Sequence, residues 1–474
     1  MASERHVART LACVLVLTAA GCGSGGGAEA DRPRNVILVS IDTLRPDHLG
    51  CYGHERETSP TIDALAARGV RFADVTSAAP WTLPSHTTMF TGLYPSHHGV
   101  KDYENRLPEE SITLAEVLAE HGFQTFAAVN TWNIADPRFE IFQGFAPEHR
   151  IYVRETQDAE GGGQLILNTG REVVAKAEEA LRGRDPGRPF FLFLHLYDAH
   201  TDYTPSAEYR ERFVTPHEGA LKGDAISTGQ LFQIRARNLQ LGAGDVRFLR
   251  EMYDAEIRQT DDVLAGFFAF LDENDLARDT LIVLTSDHGE EFQEHGGLLH
   301  GRTQFQELLA VPLIVAGPGV PHGVVVGEAV SLVDLFPTVL GRFGLAPPKP
   351  VDGVDLAPTW SGGHLAPRAL FGEADHNNVV DGKPVVDIKR MARLGHEKLH
   401  VDRHSGAVAL YDLGDDPGEA RDLAGERAER VNVLRAALAR FLDGSVSGET
   451  SGAELSPENL ELLRELGYAG DGER

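Results

Sequence analysis

The stretch Asn35-Val36-Ile37-Leu38-Val39-Ser40-Ile41, followed at once by Asp42, decides the fold. It is of strand length and almost wholly apolar, without the polar alternation of a strand that has one wet face. Both faces of such a strand must be buried, the condition of a parallel sheet covered by helices on either side. Comparable runs occupy 190–196, 281–285 and 312–315, and amphipathic helical patterns fall between them at 62–68, 113–121, 170–182 and 245–274. Strand and helix in alternation predict an α/β domain over 34–362, doubly wound around a mostly parallel sheet flanked by helices.

Residues 363–445 change character. Short strand-like segments at 385–394, 398–401 and 408–411 precede a helical pattern at 427–442, which predicts a small antiparallel sheet with one packed helix. A Gly/Ser-rich linker and a capped terminal helix at 456–468 make up 446–474, and 145–165 and 205–244 read as long loops over the active face.

The chain carries 71 acidic against 44 basic side chains, a formal charge of −27. A nucleic-acid binder needs a basic surface to displace counterions, so no nucleic-acid partner is expected. The same acidity gives an anionic substrate no long-range attraction; an anion site must be cationic locally, for which bound metal would serve.

Arg5 and Arg9 precede an apolar run that ends in Ala19-Ala20-Gly21-Cys22. A basic start, a short apolar segment and small residues before a cut site describe an export signal, too short to span a bilayer. Cys22 after small residues resembles a bacterial lipobox, with Ala19 where Leu is usual. The expectation is a signal over 1–22, a flexible tether over 23–33 and a membrane anchor through diacylated Cys22. That places the mature chain in the periplasm or on the outer membrane or cell surface. Cys13 would leave with the signal, so Cys51 alone remains and the exported domain holds without an internal disulfide.

Ligands of doubly wound sheets sit beyond the carboxyl ends of the strands. Asp42 stands at one such end, and Thr285-Ser286-Asp287-His288-Gly289-Glu290 at another. An adjacent Asp and His offer oxygen and imidazole nitrogen to one divalent cation. In Pro80-Trp81-Thr82-Leu83-Pro84-Ser85-His86, Pro84 suits the first helical position and Gly92 the C-cap. Thr82 then sits at a helix N-terminus, where free N–H groups and the macrodipole favour an anion and the hydroxyl can serve as nucleophile. His195 and His200 follow the 190–196 run, and His295 and His300 follow the Asp287 turn. Each piece alone has a bland reading, as a turn cap, a helix cap at Thr82 or Ser85, or a structural histidine. Their convergence on the strand ends of one sheet points to a metal site.

These motifs together resemble the alkaline phosphatase superfamily, in its sulfatase branch. The likeness takes in 35–53, 80–99, 195–203, 253–263, 285–301 and 311–319, and continues into Leu410-Tyr411-Asp412-Leu413 with Asp416-Pro417. The resemblance implies an alkaline phosphatase-like fold and a divalent metal (Ca, Zn or Mn) held by Asp42, Asp287 and His288, with Thr82 as nucleophile and further ligand. It implies that His200 and His300 bind the ester's anionic oxygens or, with His195, Glu290 and Asn130 as further candidates, a second metal. The substrate class it implies is a small or glycan-linked anionic ester.

The chain departs from that pattern where the chemistry is done. Type I sulfatases carry Cys or Ser ahead of x-Pro-x-Arg and oxidise it to formylglycine; here Thr82-Leu83-Pro84-Ser85-His86 occupies the stretch. Oxidising a threonine gives a ketone, so the formylglycine route is excluded. Thr43 replaces a frequent second aspartate, and a lysine common near His300 is absent. A threonine nucleophile resembles nucleotide phosphodiesterases and phosphoethanolamine transferases, whose phosphoryl chemistry benefits from two metals. The expectation is therefore hydrolysis of a sulfate or phosphate ester. The rivals are a phosphoethanolamine-type transferase acting on envelope glycan or lipid, and a non-catalytic glycan-binding lipoprotein.

Overall fold

The computed structural model describes residues 32–450 apart from 155, 159–163, 167, 238 and 381–382. Cys22, nearly all of the tether and the 456–468 helix lie outside the described residues. The central sheet has eight strands: β1 (Asn35–Ile41), β2 (Val70–Phe72), β3 (Gln124–Val129), β4 (Arg150–Tyr152), β5 (Phe190–Leu196), β6 (Thr280–Thr285), β7 (Leu313–Ala316) and β8 (Val324–Val326). Their spatial order is β8-β2-β7-β6-β1-β5-β3-β4. β7 runs antiparallel to both its neighbours and the other pairings are parallel. The 312–315 run, expected as one more parallel strand, is thus the exception. It follows β6 through the Asp287 loop and returns alongside it.

The period of two along the strands explains the unbroken apolar runs. Val36, Leu38, Phe191, Phe193, Leu281 and Val283 join one core cluster. Their alternates Ile37, Val39, Leu192, Leu194, Ile282 and Leu284 join the other. The first face is covered by α2 (Thr82–Thr91), α3 (Leu114–Glu120) and α6 (Leu335–Arg342), the second by α1 (Pro60–Ala67), α4 (Gly170–Gly183) and α5 (Ala243–Glu273). Thr113 closes a capping box with Glu116 at the start of α3, which sets that boundary.

The C-terminal sheet is antiparallel and four-stranded, β9 (Leu370–Val380), β10 (Lys383–Leu394), β11 (Glu397–Asp402) and β12 (Val408–Asp412), packed against α7 (Ala428–Leu442). It docks on the larger domain through Tyr94, whose ring lies 5.7 Å from Phe371 and 5.2 Å from Phe441. Two expectations change. The 205–244 stretch holds helices at Ala207–Phe213 and Thr228–Ala236, and the linker begins as a strand, Glu449–Thr450, paired with Asn105–Arg106. Among the described residues no helix is long and apolar enough to cross a membrane.

Candidate active site and metal centre

β1, β5 and β6 lie side by side, and the chain leaving each carries the expected chemistry. Asp42 follows β1, its amide bonded to the Leu196 carbonyl oxygen at 2.9 Å. His195 is the penultimate residue of β5 and registers with Ser40. Asp287 and His288 follow β6. Asp42, Asp287, His288 and His195 are all fully buried.

α2 delivers Thr82 to the same place. The helix begins at Thr82 itself, with Trp81 at the N-cap in extended conformation, so Pro84 is the third helical residue and not the first. Neither Thr82 nor Ser85 caps it. Ser85 Oγ instead donates to the Asp287 carbonyl oxygen at 2.8 Å, which Ser77 Oγ also reaches at 2.5 Å. All ten residues of α2 are buried although half of them are Thr or Ser. A helix this polar without a wet face has a purpose other than packing.

Thr82 Oγ1 lies 3.4 Å from His288 Nε2, which is in turn 3.3 Å from Asp287 Oδ2 and 3.6 Å from Asp42 Oδ1. Both oxygens of Asp42 and Oδ2 of Asp287 are buried with no hydrogen-bond partner among the described residues. His195 Nε2 approaches Asp42 Oδ2 to 3.3 Å without hydrogen-bond geometry. Burial and then the charge of Asp287 push Asp42 well above the usual carboxylate range. Two buried carboxylates with bare oxygens lack a counter-charge, and the gap between them fits a divalent cation with Asp42, Asp287 and His288 as ligands.

The imidazoles are set for that role. His288 Nδ1 donates to the Gly289 carbonyl oxygen at 2.9 Å, His200 Nδ1 to that of Thr201 at 2.6 Å, and His300 Nδ1 to Glu290 Oε1 at 3.0 Å. Each Nε2 is then a lone pair aimed inward, and those of His200 and His300 face one another at 3.3 Å. Burial and then the nearby His300 lower His200 to about 3. Tyr203 donates to Glu290 Oε2 at 3.2 Å, so Glu290 holds His300 and is itself held.

Two expectations fail here. Asn130 spends its amide on Thr169 and Asp198, both at 3.0 Å, and its oxygen on the Tyr197 amide at 2.9 Å; it secures the backbone before His200 and is no ligand. His295 leaves the cluster, stacked 3.6 Å from Phe305 and bonded to Glu307 at 2.6 Å. Arg45 is 5% exposed and donates to the Glu290 carbonyl oxygen at 2.8 Å. Ser77 had no sequence reading of its own, Ser85 was read only as a helix cap, and Tyr203 and Tyr253 entered only as ends of the stretches 195–203 and 253–263; the density of Ser and Thr in 76–91 was the available signal. A further group, His48, His54 and Asp254, has ligand-like spacing. Arg56 lies 2.5 Å from its carboxylate and already neutralises it.

The sulfatase family model matches residues 34–345. Human arylsulfatase A is 28% identical over 453 residues, a match spanning 84% of this chain and 85% of that protein. The phosphonate monoester hydrolase of Agrobacterium radiobacter shares the fold at a TM-score of 0.69 and 22% identity, over 90% of this chain and 99% of that one. A protein solved with its substrate D-glucosamine-2-N,6-O-disulfate shares it at a TM-score of 0.71 and 19% identity, over 89% of this chain and 100% of that one. Family model, relatives and fold agree: the chain belongs to the sulfatase family.

Proposed function

We propose that this sulfatase-family ester hydrolase opens a phosphate, phosphonate or sulfate ester by attack of Thr82 Oγ1, beside a divalent cation held by Asp42, Asp287 and His288. The observation that carries the reading is the position of Thr82. Its hydroxyl stands at the first turn of a buried helix, 3.4 Å from His288 Nε2 and beside carboxylate oxygens that have no hydrogen-bond partner among the described residues. A cation there would lower the hydroxyl's pKa and offset the charge on the transferring group. Thr82 Oγ1 forms a bond to phosphorus or sulfur while the bond to the leaving oxygen breaks. Water then cleaves the Thr82 ester and restores the hydroxyl. His200 and His300 bracket the transferring group, contacting its oxygens when protonated or holding a second cation when not.

Thr82 in place of an oxidisable Cys or Ser favours phosphoryl esters over sulfate, and the fold shared with a phosphonate monoester hydrolase is in keeping with that. The reaction would take place outside the cytoplasm on a chain anchored through Cys22; labelled palmitate incorporated by the wild type and lost in Cys22→Ala is the test. For the chemistry, the test is turnover of matched aryl sulfate, phosphate monoester, phosphodiester and phosphonate monoester by protein beginning after Cys22, with Thr82→Ala as control. Turnover that survives Thr82→Ala sinks the nucleophile assignment.

A further inference from the structure

Glu419 lies in the C-terminal domain, on the loop between β12 and α7, and is 2% exposed. Its backbone has φ 50°, a conformation that glycine adopts freely and glutamate only under constraint. The side chain, not the turn, therefore accounts for a glutamate here. Its carboxylate meets three partners. Oε2 accepts the Gln306 amide at 2.6 Å, and Oε1 lies 3.0 Å from both Lys398 Nζ and His400 Nε2. Lys398 is fully buried and also donates to Gln306 Oε1 at 2.9 Å. A buried ammonium and carboxylate are costly to desolvate, and apolar side chains often serve a domain contact as well. What the pair adds over apolar packing is a fixed direction, toward Gln306.

Gln306 opens the short helix Gln306–Leu309, whose N-cap, Phe305, has no side chain able to accept a hydrogen bond. The Glu419 carboxylate takes that first amide from across the domain boundary, where the helix end favours negative charge. A second tie runs in parallel. His295 Nε2 faces the Glu419 carbonyl oxygen at 3.3 Å, and its Nδ1 faces Glu307 Oε1 at 2.6 Å. The other end of the helix meets the proposed metal centre. The Leu308 carbonyl oxygen accepts the Gly289 amide at 2.8 Å, and that of Leu309 accepts the Ser77 amide at 2.7 Å. Gly289 follows His288 and its carbonyl oxygen holds His288 Nδ1, while the Ser77 hydroxyl holds the Asp287 carbonyl oxygen. The contact has no slack: a Cβ on Gly289 would stand 2.0 Å from the Glu307 carbonyl oxygen. A shift of the short helix is thus passed to the turn that carries Asp287 and His288.

We propose that Glu419 is a positioning residue for the metal centre: through the Gln306 amide it fixes the short helix, and through the helix the Asp287–His288 turn. The inference rests on the cation site proposed above, and it makes the C-terminal domain a working part of that site. Glu419 itself touches neither substrate nor ion. Its loss should cost about tenfold in metal affinity, the low end of what the supports of metal ligands contribute.

The experiment compares wild-type protein beginning after Cys22 with two double variants, Glu419→Leu with Lys398→Met and Glu419→Gln with Lys398→Met. Both remove the two buried charges together, so neither leaves one unpaired. Only the second restores an acceptor for the Gln306 amide. In the first, deuterium uptake by metal-free peptides spanning 286–292 should be about tenfold faster. Its Mn²⁺ Kd should be about tenfold weaker and its aryl-ester kcat about tenfold lower at unchanged KM. The second should return to near wild type in all three. If the first does not fold, Gln306→Pro removes the same amide and should reproduce the exchange and Mn²⁺ effects. Proline suits a first helical position that follows an extended residue such as Phe305. Exchange and Mn²⁺ affinity unchanged in the first double variant or in Gln306→Pro, or no recovery in the second double variant, overturns the proposal. Exchange needs no ion. A wild type that binds no Mn²⁺, with the turn still loosened in the first double variant, would sink the cation site and leave the positioning role of Glu419 standing.

Discussion

The Tyr253 hydroxyl donates to the Thr43 carbonyl oxygen at 2.7 Å and accepts the Arg45 amide at 2.9 Å. One side chain from α5 thus holds the turn that begins with Asp42. Thr43 sits at φ 55°, a conformation a β-branched residue adopts only when its surroundings enforce it. The enforcement is visible: its hydroxyl donates to the Ala199 carbonyl oxygen at 2.9 Å and its amide to Asp287 Oδ1 at 3.3 Å. Tyr253→Phe leaves two buried backbone groups without a partner, a loss of about 1–3 kcal/mol. Denaturant unfolding should show it, and aryl-ester kcat should fall about tenfold as Asp42 loosens. A variant with wild-type stability and kcat would remove Tyr253 from the site's support.

Asp42 and Asp287 stand close enough to repel one another, a repulsion that the proposed cation would offset. Chelation of the purified protein should lower the melting temperature, and restoring ion at about 100 times its Kd should return about 2.7 kcal/mol. Asp42→Asn should act in opposite directions on the two forms. Without metal it removes a buried charge and raises the melting temperature; with metal it weakens binding and lowers it. Scanning fluorimetry of both proteins with and without chelator separates the cases, and a variant destabilised equally in both forms would argue for a purely structural Asp42.

Glu290 accepts from His300 and from Tyr203, so its work is to fix the tautomer that turns His300 Nε2 inward. Glu290→Gln keeps an acceptor but loses the charge, and its amide can present N–H to the ring instead. The expected result is a fall of about 10- to 100-fold in kcat with little change in KM. Metal analysis of the same variant and of His200→Ala counts the ions. One ion retained in each, against two in the wild type, assigns the second to this histidine pair. One ion throughout assigns the pair to substrate oxygens.

Much of the fold and the site was legible in the sequence because strand ends are where chemistry and hydrophobic pattern meet. The runs at β1, β5 and β6 could be read from their apolarity, and Asp42, His195 and the Asp287 turn from their places at the ends of those runs. β3 is Gln124-Thr125-Phe126-Ala127-Ala128-Val129, too small and too mixed to stand out, yet it is fully buried between β5 and β4. The antiparallel course of β7 has no local signature, since direction is fixed by the connection. Asn130 was misjudged because a polar residue beside a strand end faces inward to satisfy backbone as readily as it faces a ligand, and only the partners decide.

Glu291 gives the fold a pH dependence that the metal site does not share. Its side chain is buried, with Oε1 accepting from the Thr303 hydroxyl at 2.7 Å, and burial pushes it up to about 7 against that bond. The unfolded chain has an ordinary glutamate near pH ~4.3. Between those values the folded protein keeps a proton that the unfolded one has lost. The group's contribution is therefore full below about pH 4 and lost as pH rises through 7, about 4 kcal/mol in all. Glu291→Gln keeps the acceptor for Thr303 and cannot titrate. Urea midpoints at about pH 5.5 and about pH 8.5, on either side of the folded value, should show chelated wild type losing stability relative to the variant as pH rises. A difference that stays flat across that interval would mean that Glu291 is ionised throughout and does not carry this dependence.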